Sequence, residues 1–174
     1  DLVFDLGDEQ TRVTTNLAVR RNPDSSDKAA VLELNSKGDV QLQWIAIDGQ
    51  RLDSSAYSIA DNLLRVPNLS DSCVISTEVL IQPQLNTSMM GLYRSRTMYC
   101  TQCEAEGFRD ITFYLDRPDV MAEFTTKVIA QRQQYPILLS NGNPIERGEL
   151  ANDRHFVTWH DPFKKPSYLF ALVA

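Results

Sequence analysis

The sequence predicts a mainly β protein, an antiparallel β-sandwich or saddle-like pair of sheets with a few short helical turns. Two observations carry that expectation. Apolar residues recur with a period of two along most of the chain, and turn-forming clusters interrupt them at roughly 8–12-residue spacing. A third observation is negative: helical periodicity is scarce and no internal repeat is present. Alternate side chains of a strand face opposite ways, so period-two burial is what a sheet with one face on a core requires.

The elements follow in order. Asp1-Leu2-Val3-Phe4-Asp5-Leu6 reads as an opening strand, and Val13, Thr15, Leu17 and Val19 alternate with polar or small residues to give a second. Asn22-Pro23-Asp24-Ser25-Ser26 is a turn cluster, followed by a short strand at Val31-Leu32-Glu33-Leu34. Val40, Leu42 and Trp44 alternate with Gln41 and Gln43, and Asp48-Gly49 closes that run as a hairpin turn, because both residues tolerate positive φ. Further strands are expected over residues 63–66, 73–81, 125–130, 155–159 and 168–173, with turns at Asn141-Gly142-Asn143-Pro144 and Asp161-Pro162. A short helical turn is expected within residues 108–115, ending before Asp116-Arg117-Pro118, where the proline discourages continuation.

At 174 residues the chain fits one domain able to bury roughly 70% of its unfolded surface. Its net charge of −6 argues against a nucleic-acid or anionic-membrane surface, both of which need clustered Lys and Arg, and suits a cationic ligand. No stretch reaches the roughly 18 apolar residues of a membrane span. Three cysteines at irregular spacing do not form a secreted disulfide framework, so reduced thiols in a cytoplasm are expected. The apolar end, Tyr168-Leu169-Phe170-Ala171-Leu172-Val173-Ala174, has no closing turn and reads as the cut end of a longer polypeptide.

Polar chemistry concentrates in Cys100-Thr101-Gln102-Cys103-Glu104-Ala105-Glu106-Gly107-Phe108-Arg109. Three readings compete there: a zinc or redox cysteine pair, an acidic binding edge, or an ordinary turn. A structural zinc site needs about four ligands. Only Cys73, His155 and His160 could add to the pair, and the two histidines, five apart, point to opposite faces of a regular strand. The cysteines therefore read as structural thiols. Gln102 and Glu104, two apart, share a face of an extended segment while Cys103 points into the packing. Together they make an acceptor edge for an ammonium group, or two polar residues looking at water. Glu106 and Arg109 can form a local solvated ion pair. Met89-Met90, Trp44 and Trp159 read as packing, and Lys164-Lys165 as an exposed loop. A phosphate loop, a nucleophile elbow and H-E-x-x-H are all lacking.

Three stretches carry a resemblance: Gly91-Leu92-Tyr93-Arg94-Ser95, the segment from Cys100 to Arg109, and Tyr114-Leu115-Asp116-Arg117-Pro118-Asp119-Val120. With Phe124-Thr125-Thr126-Lys127, Leu138-Leu139-Ser140-Asn141-Gly142-Asn143 and Asp161-Pro162-Phe163, they resemble the amino-terminal domain of the bacterial aminopeptidase N family, a family of zinc metallo-aminopeptidases. The cytoplasmic enzymes of gammaproteobacteria are the most similar type. The likeness is specific in the second half, while the first half fits as a compatible run of strands. It implies a single β-saddle domain over residues 1–174, the non-catalytic front of a multidomain enzyme whose catalytic domain follows Ala174 and carries H-E-x-x-H, zinc and a G-A-M-E-N stretch. This domain would pack on that catalytic domain and be inactive alone. The family's T-Q-x-E motif falls on Thr101, Gln102, Cys103 and Glu104. The resemblance thus implies that Glu104 binds the free α-ammonium of a peptide substrate and that Gln102 lines the same pocket. The alternative is an independent β-sandwich binding module for a protein or carbohydrate.

Overall fold

The computed structural model describes residues 1–24 and 31–174. Fifteen strands and four single 3₁₀ turns make up its regular structure, and none of the described helices exceeds three residues. The strands are β1 (Leu2–Asp5), β2 (Thr11–Arg20), β3 (Leu32–Asn35), β4 (Gln41–Ile47), β5 (Gln50–Arg51), β6 (Ser58–Ala60), β7 (Leu63–Val66) and β8 (Ser72–Ile81). They continue as β9 (Gly91–Ser95), β10 (Met98–Gln102), β11 (Ala122–Gln131), β12 (Leu139–Ser140), β13 (Asn143–Leu150), β14 (Arg154–Lys165) and β15 (Leu172–Val173).

Three sheets result. An eight-stranded sheet runs β13-β14-β11-β1-β2-β8-β4-β5, a four-stranded sheet β12-β15-β10-β9, and a three-stranded sheet β3-β7-β6. All pairs are antiparallel except β1 with β11. Period-two burial is clearest in β8, where Cys73, Ile75, Thr77, Val79 and Ile81 face inward, and in β11, where Phe124, Thr126, Val128 and Ala130 do. Thr15 and Thr77 sit opposite each other and are both fully buried. Their hydroxyls satisfy each other at 2.7 Å, which removes the cost of taking two polar groups into the core. Between the sheets lies an aromatic cluster of Phe4, Phe108, Tyr114, Phe124 and Phe170, with ring centroids 4.9–6.3 Å apart.

The mainly β class and most strands are as expected, and several details differ. The Asp48-Gly49 hairpin forms with both residues at positive φ. A bulge between Leu42 and Trp44 changes the parity of β4, so Ile45 and not Trp44 enters the core. Trp44 instead lies under the Arg51 guanidinium. The expected turn at Asp161-Pro162 lies inside β14, where the exposed Pro162 sits near a register shift opposite Ala122 and Phe124. Lys165 is correspondingly not in an exposed loop but buried on Asp161. The expected strand over 168–173 is a 3₁₀ turn at Ser167–Leu169 and two strand residues. Side chains satisfy its backbone in place of a ladder: Asn141 Nδ2 donates to the Leu169 carbonyl, and the Ala171 N–H donates to Asn141 Oδ1. The helical turn expected within 108–115 reduces to Phe108–Asp110. Strands β6, β9, β12 and β13 lie outside the expected set, because none has a clean alternation, and β10 meets only the extended segment expected at Gln102. The turn cluster at 22–26 begins as expected with Pro23 and Asp24, while Ser25 and Ser26 lie outside the described residues.

Candidate functional site

Strand β10 places the candidate residues. It pairs with β9 so that Gln102 lies opposite Gly91 and Cys100 opposite Tyr93, and with β15 so that Cys100 lies opposite Val173. Gln102 is the last residue of the strand, so the extended segment expected through Glu104 is corrected: Glu104, Ala105 and Glu106 form a turn. The Glu104–Ala105 peptide bond is cis, and Glu106 adopts a left-handed φ of 65°. Cys103 still points inward and is 2% exposed, as expected, with the turn's crest facing solvent.

Several contacts fix this turn. The Gly107 N–H donates to the Cys103 carbonyl at 2.9 Å, closing the loop over one turn. Gly107 is required there, because a Cβ would lie 2.4 Å from the Gln102 carbonyl oxygen and 2.9 Å from the Cys103 Cα. The next residue, Phe108, is fully buried in the aromatic cluster. Gln102 Nε2 donates to the Glu104 carbonyl at 2.8 Å. The turn is thus held by a buried thiol on one side and a buried ring on the other.

The Glu106–Arg109 pair exists at 3.4 Å but is one arm of a larger arrangement. Asp116 is buried and takes three contacts: the Arg109 backbone N–H at 3.1 Å, Arg109 Nε at 3.1 Å, and the Ser167 hydroxyl. Arg109 Nη2 also donates to the Asp116 carbonyl at 2.8 Å, and Asn35 Oδ1 accepts the Asp116 N–H. The sequence marks Asp116 as a residue ahead of a helix-stopping proline and as part of the Tyr114–Val120 stretch, and not as a hub. Its partners come from three separate segments, and no local pattern signals them. Glu104 differs from Glu106: among the described residues its carboxylate makes no ion pair or hydrogen bond. It borders a hollow of about 270 Å³ with Arg117, Pro118 and Tyr168.

The cysteines contribute packing. Burial pushes the Cys103 thiol up to about 12, with the Asp116 and Asp110 carboxylates adding to the shift, and burial raises Cys100 as well. Neither environment favours a thiolate. His155 Nε2 lies 2.7 Å from the Tyr135 carbonyl and His160 Nδ1 3.1 Å from Thr125 Oγ1, in separate surroundings. Among the described residues no group of three or more His, Cys, Asp or Glu is placed to hold a metal ion. Zinc therefore does not fit the residues present, and no step on this chain runs through it. None of the described helices is long and apolar enough to cross a membrane.

Fold and turn together define an all-β domain in which a fixed turn displays the Glu104 carboxylate with no partner among the described residues. Comparison with known proteins gives the class a family. Residues 1–169 match the Peptidase M1 N-terminal domain, and the chain belongs to that family. It is 49% identical over 175 residues to aminopeptidase N of Escherichia coli, covering 100% of this chain and 19% of that protein. Against aminopeptidase N of Caulobacter vibrioides it is 48% identical over 173 residues, or 99% of this chain and 20% of that protein. The likeness therefore extends through the first half as well. The crystal structure of Legionella pneumophila aminopeptidase A in complex with aspartic acid superposes with a TM-score of 0.92 at 33% identity, over 99% of this chain and 20% of that one. An M1 zinc metallopeptidase from Deinococcus radiodurans shares the fold, with a TM-score of 0.81 at 16% identity, over 99% of this chain and 40% of that one. The chain spans about a fifth of the length of the curated relatives that it matches along its whole length.

Proposed function

We propose that this chain, over residues 1–174, is the amino-terminal domain of a cytoplasmic zinc aminopeptidase whose catalytic domain follows Ala174, and that Glu104 anchors the substrate's α-ammonium. The observation that carries the reading is the contrast within one turn: Glu106 is paired with Arg109, whereas the Glu104 carboxylate is exposed and, among the described residues, unpaired on a crest fixed from below. An α-amine with a pKa near 7.7–8.0 and a glutamate near 4.3 are oppositely charged at neutral pH. An internal peptide bond offers only a neutral amide, so the contact selects chains with a free amino terminus. Packing on the catalytic domain is supported by the face that ends at Gln102. There Leu139, Val173, Cys100 and Tyr93 sit opposite one another in a row across β12, β15, β10 and β9, leaving Leu139 44% and Val173 37% exposed. Zinc, the water it activates and most of the residue-specificity pocket would belong to the other domain. The isolated chain is accordingly expected not to hydrolyse aminoacyl substrates, even with added zinc.

The test is Glu104→Ala in the full-length enzyme, folded and zinc-loaded like its parent. A charge-assisted contact of about 1.5–3 kcal/mol is lost, so kcat/KM should fall at least tenfold, since about 1.4 kcal/mol is a factor of ten. Because the contact also sets the scissile bond in place, kcat should fall together with affinity. Replacing Gln102 should matter less, and Glu106 less still. Near-normal kcat/KM in Glu104→Ala would remove the anchor role.

A further inference from the structure

Asp110 ends the 3₁₀ turn Phe108–Asp110, and its side chain is 9% exposed. One carboxylate oxygen, Oδ2, accepts from Lys37 Nζ at 3.0 Å. The other, Oδ1, is buried and has no hydrogen-bond partner among the described residues. The carboxylate is held where it stands. The Asp110 N–H donates to the Gly107 carbonyl at 3.1 Å, and Gly91 leaves the space it needs, since a Cβ there would lie 2.5 Å from the Asp110 Cβ. Asp110 borders a hollow of about 400 Å³ between the β3–β4 connection, the 3₁₀ turn Pro83–Leu85 and the start of β9. That hollow shares no lining residue with the one beside Glu104.

The lining selects the ligand. One ammonium, Lys37, is set against two carboxylates, Asp39 and Asp110, so the hollow is net negative. Burial outweighs Lys37 and raises the Asp110 carboxyl above its usual value, which marks a carboxylate short of compensating charge. Two further polar side chains of the lining cannot supply the donor that Oδ1 lacks. Asn86 Nδ2 donates to the Met90 and Leu92 carbonyls, and the Ser88 hydroxyl donates to Asn86 Oδ1. Among the described residues no group of three or more His, Cys, Asp or Glu is placed to hold a metal ion, whereas one N–H donor satisfies a single oxygen. Ile81, Leu85 and Leu92 line the same hollow with hydrocarbon. We propose that this hollow binds a small primary amine in its protonated form, with one N–H on Asp110 Oδ1 and the alkyl part against Leu85 and Leu92. The site is separate from the amine anchor proposed at Glu104 and does not depend on it.

The probe is n-butylammonium, which keeps its charge at neutral pH because alkylamines titrate near about pH 10.4. It is titrated into the full-length enzyme while the Ile81 and Leu85 methyl groups are followed by NMR, so that this hollow is read apart from the active site. Saturable shifts of both methyl signals are expected. n-Butyltrimethylammonium keeps the charge and lacks the N–H, and n-butanol keeps the chain and lacks the charge. Each should bind at least about tenfold more weakly than the primary amine. Asp110→Asn should weaken n-butylammonium by about tenfold as well. Absence of a saturable shift, equal binding of the quaternary cation or of the alcohol, or full retention in Asp110→Asn would each overturn the site. Should Asp110→Asn fail to fold by thermal unfolding, Lys37→Met takes its place. Lys37 is half exposed, and losing its ammonium frees the carboxylate for the probe, so binding should tighten about threefold or more. Unchanged or weaker binding in Lys37→Met would overturn the site in turn.

Discussion

Gly107 is the residue on which the turn's shape depends most directly. A methyl group there meets backbone on two sides, at 2.4 and 2.9 Å, and backbone cannot step aside as a flexible side chain can. Gly107→Ala is expected to destabilise the chain by about 1–3 kcal/mol, measured as a lower urea midpoint at unchanged slope. Cys103 beneath the turn gives a second expectation. With its thiol pushed up to about 12 and its side chain buried, it should resist alkylation at pH 8 until the chain unfolds, as peptide mass mapping with and without denaturant would show. The inward direction of Cys103 and the outward direction of Gln102 were legible as alternation. The commitment of Gln102 Nε2 to the Glu104 carbonyl was not, because it arises only once the strand stops at Gln102.

Among the elements, the segment from Phe108 to Asp116 ties the turn to the rest of the fold. Arg109 and Asp116 clasp each other through three donor–acceptor contacts that include their backbones, and Ser167 brings in the 3₁₀ turn that precedes β15. Removing one partner of such a pair strands the other. Asp116→Ala leaves the Arg109 guanidinium, 19% exposed, with only the solvent-exposed Glu106 carboxylate beside it and strands the Ser167 hydroxyl, and is expected to cost about 3 kcal/mol. Glu106→Ala removes a contact whose carboxylate is 69% exposed, so a loss under about 1 kcal/mol is expected. Chemical denaturation of the two variants side by side checks the ranking, and comparable losses would mean that Asp116 is not the hub. Long strands such as β8 and β11 were legible because every second residue is apolar or Thr. The extension of β14 through Asp161-Pro162 was not, since an Asp-Pro pair signals a turn unless a bulge accommodates it.

Taken as a whole, the molecule holds several acids whose protonated forms are favoured by folding, Cys73, Cys100 and Asp110 among them, and three are shifted strongly. Burial is the first cause for Cys103, Tyr99 and Tyr114, each pushed up to about 12. Unfolded, these groups release their protons from about pH 8.5 to 10 upward. The unfolded chain then binds fewer protons than the folded one, so stability is fully present below about pH 8.5 and falls as pH rises towards 12. Urea midpoints between pH 7 and 11 should decline across that window, and Cys103→Ala should flatten its lower part. A midpoint independent of pH up to 11 would contradict the assignment. What the sequence by itself determined is the β class and the identity of most strands, because period-two burial and turn chemistry are local properties of the chain; the T-Q-x-E segment stands out through its resemblance to the family's motif. What only the tertiary structure decided is the parity change in β4, the hub at Asp116, and the contrast between Glu106, paired, and Glu104, without a partner among the described residues. Those depend on groups up to 81 residues apart in sequence meeting at hydrogen-bond distance, which the packing of three sheets sets and no local pattern encodes.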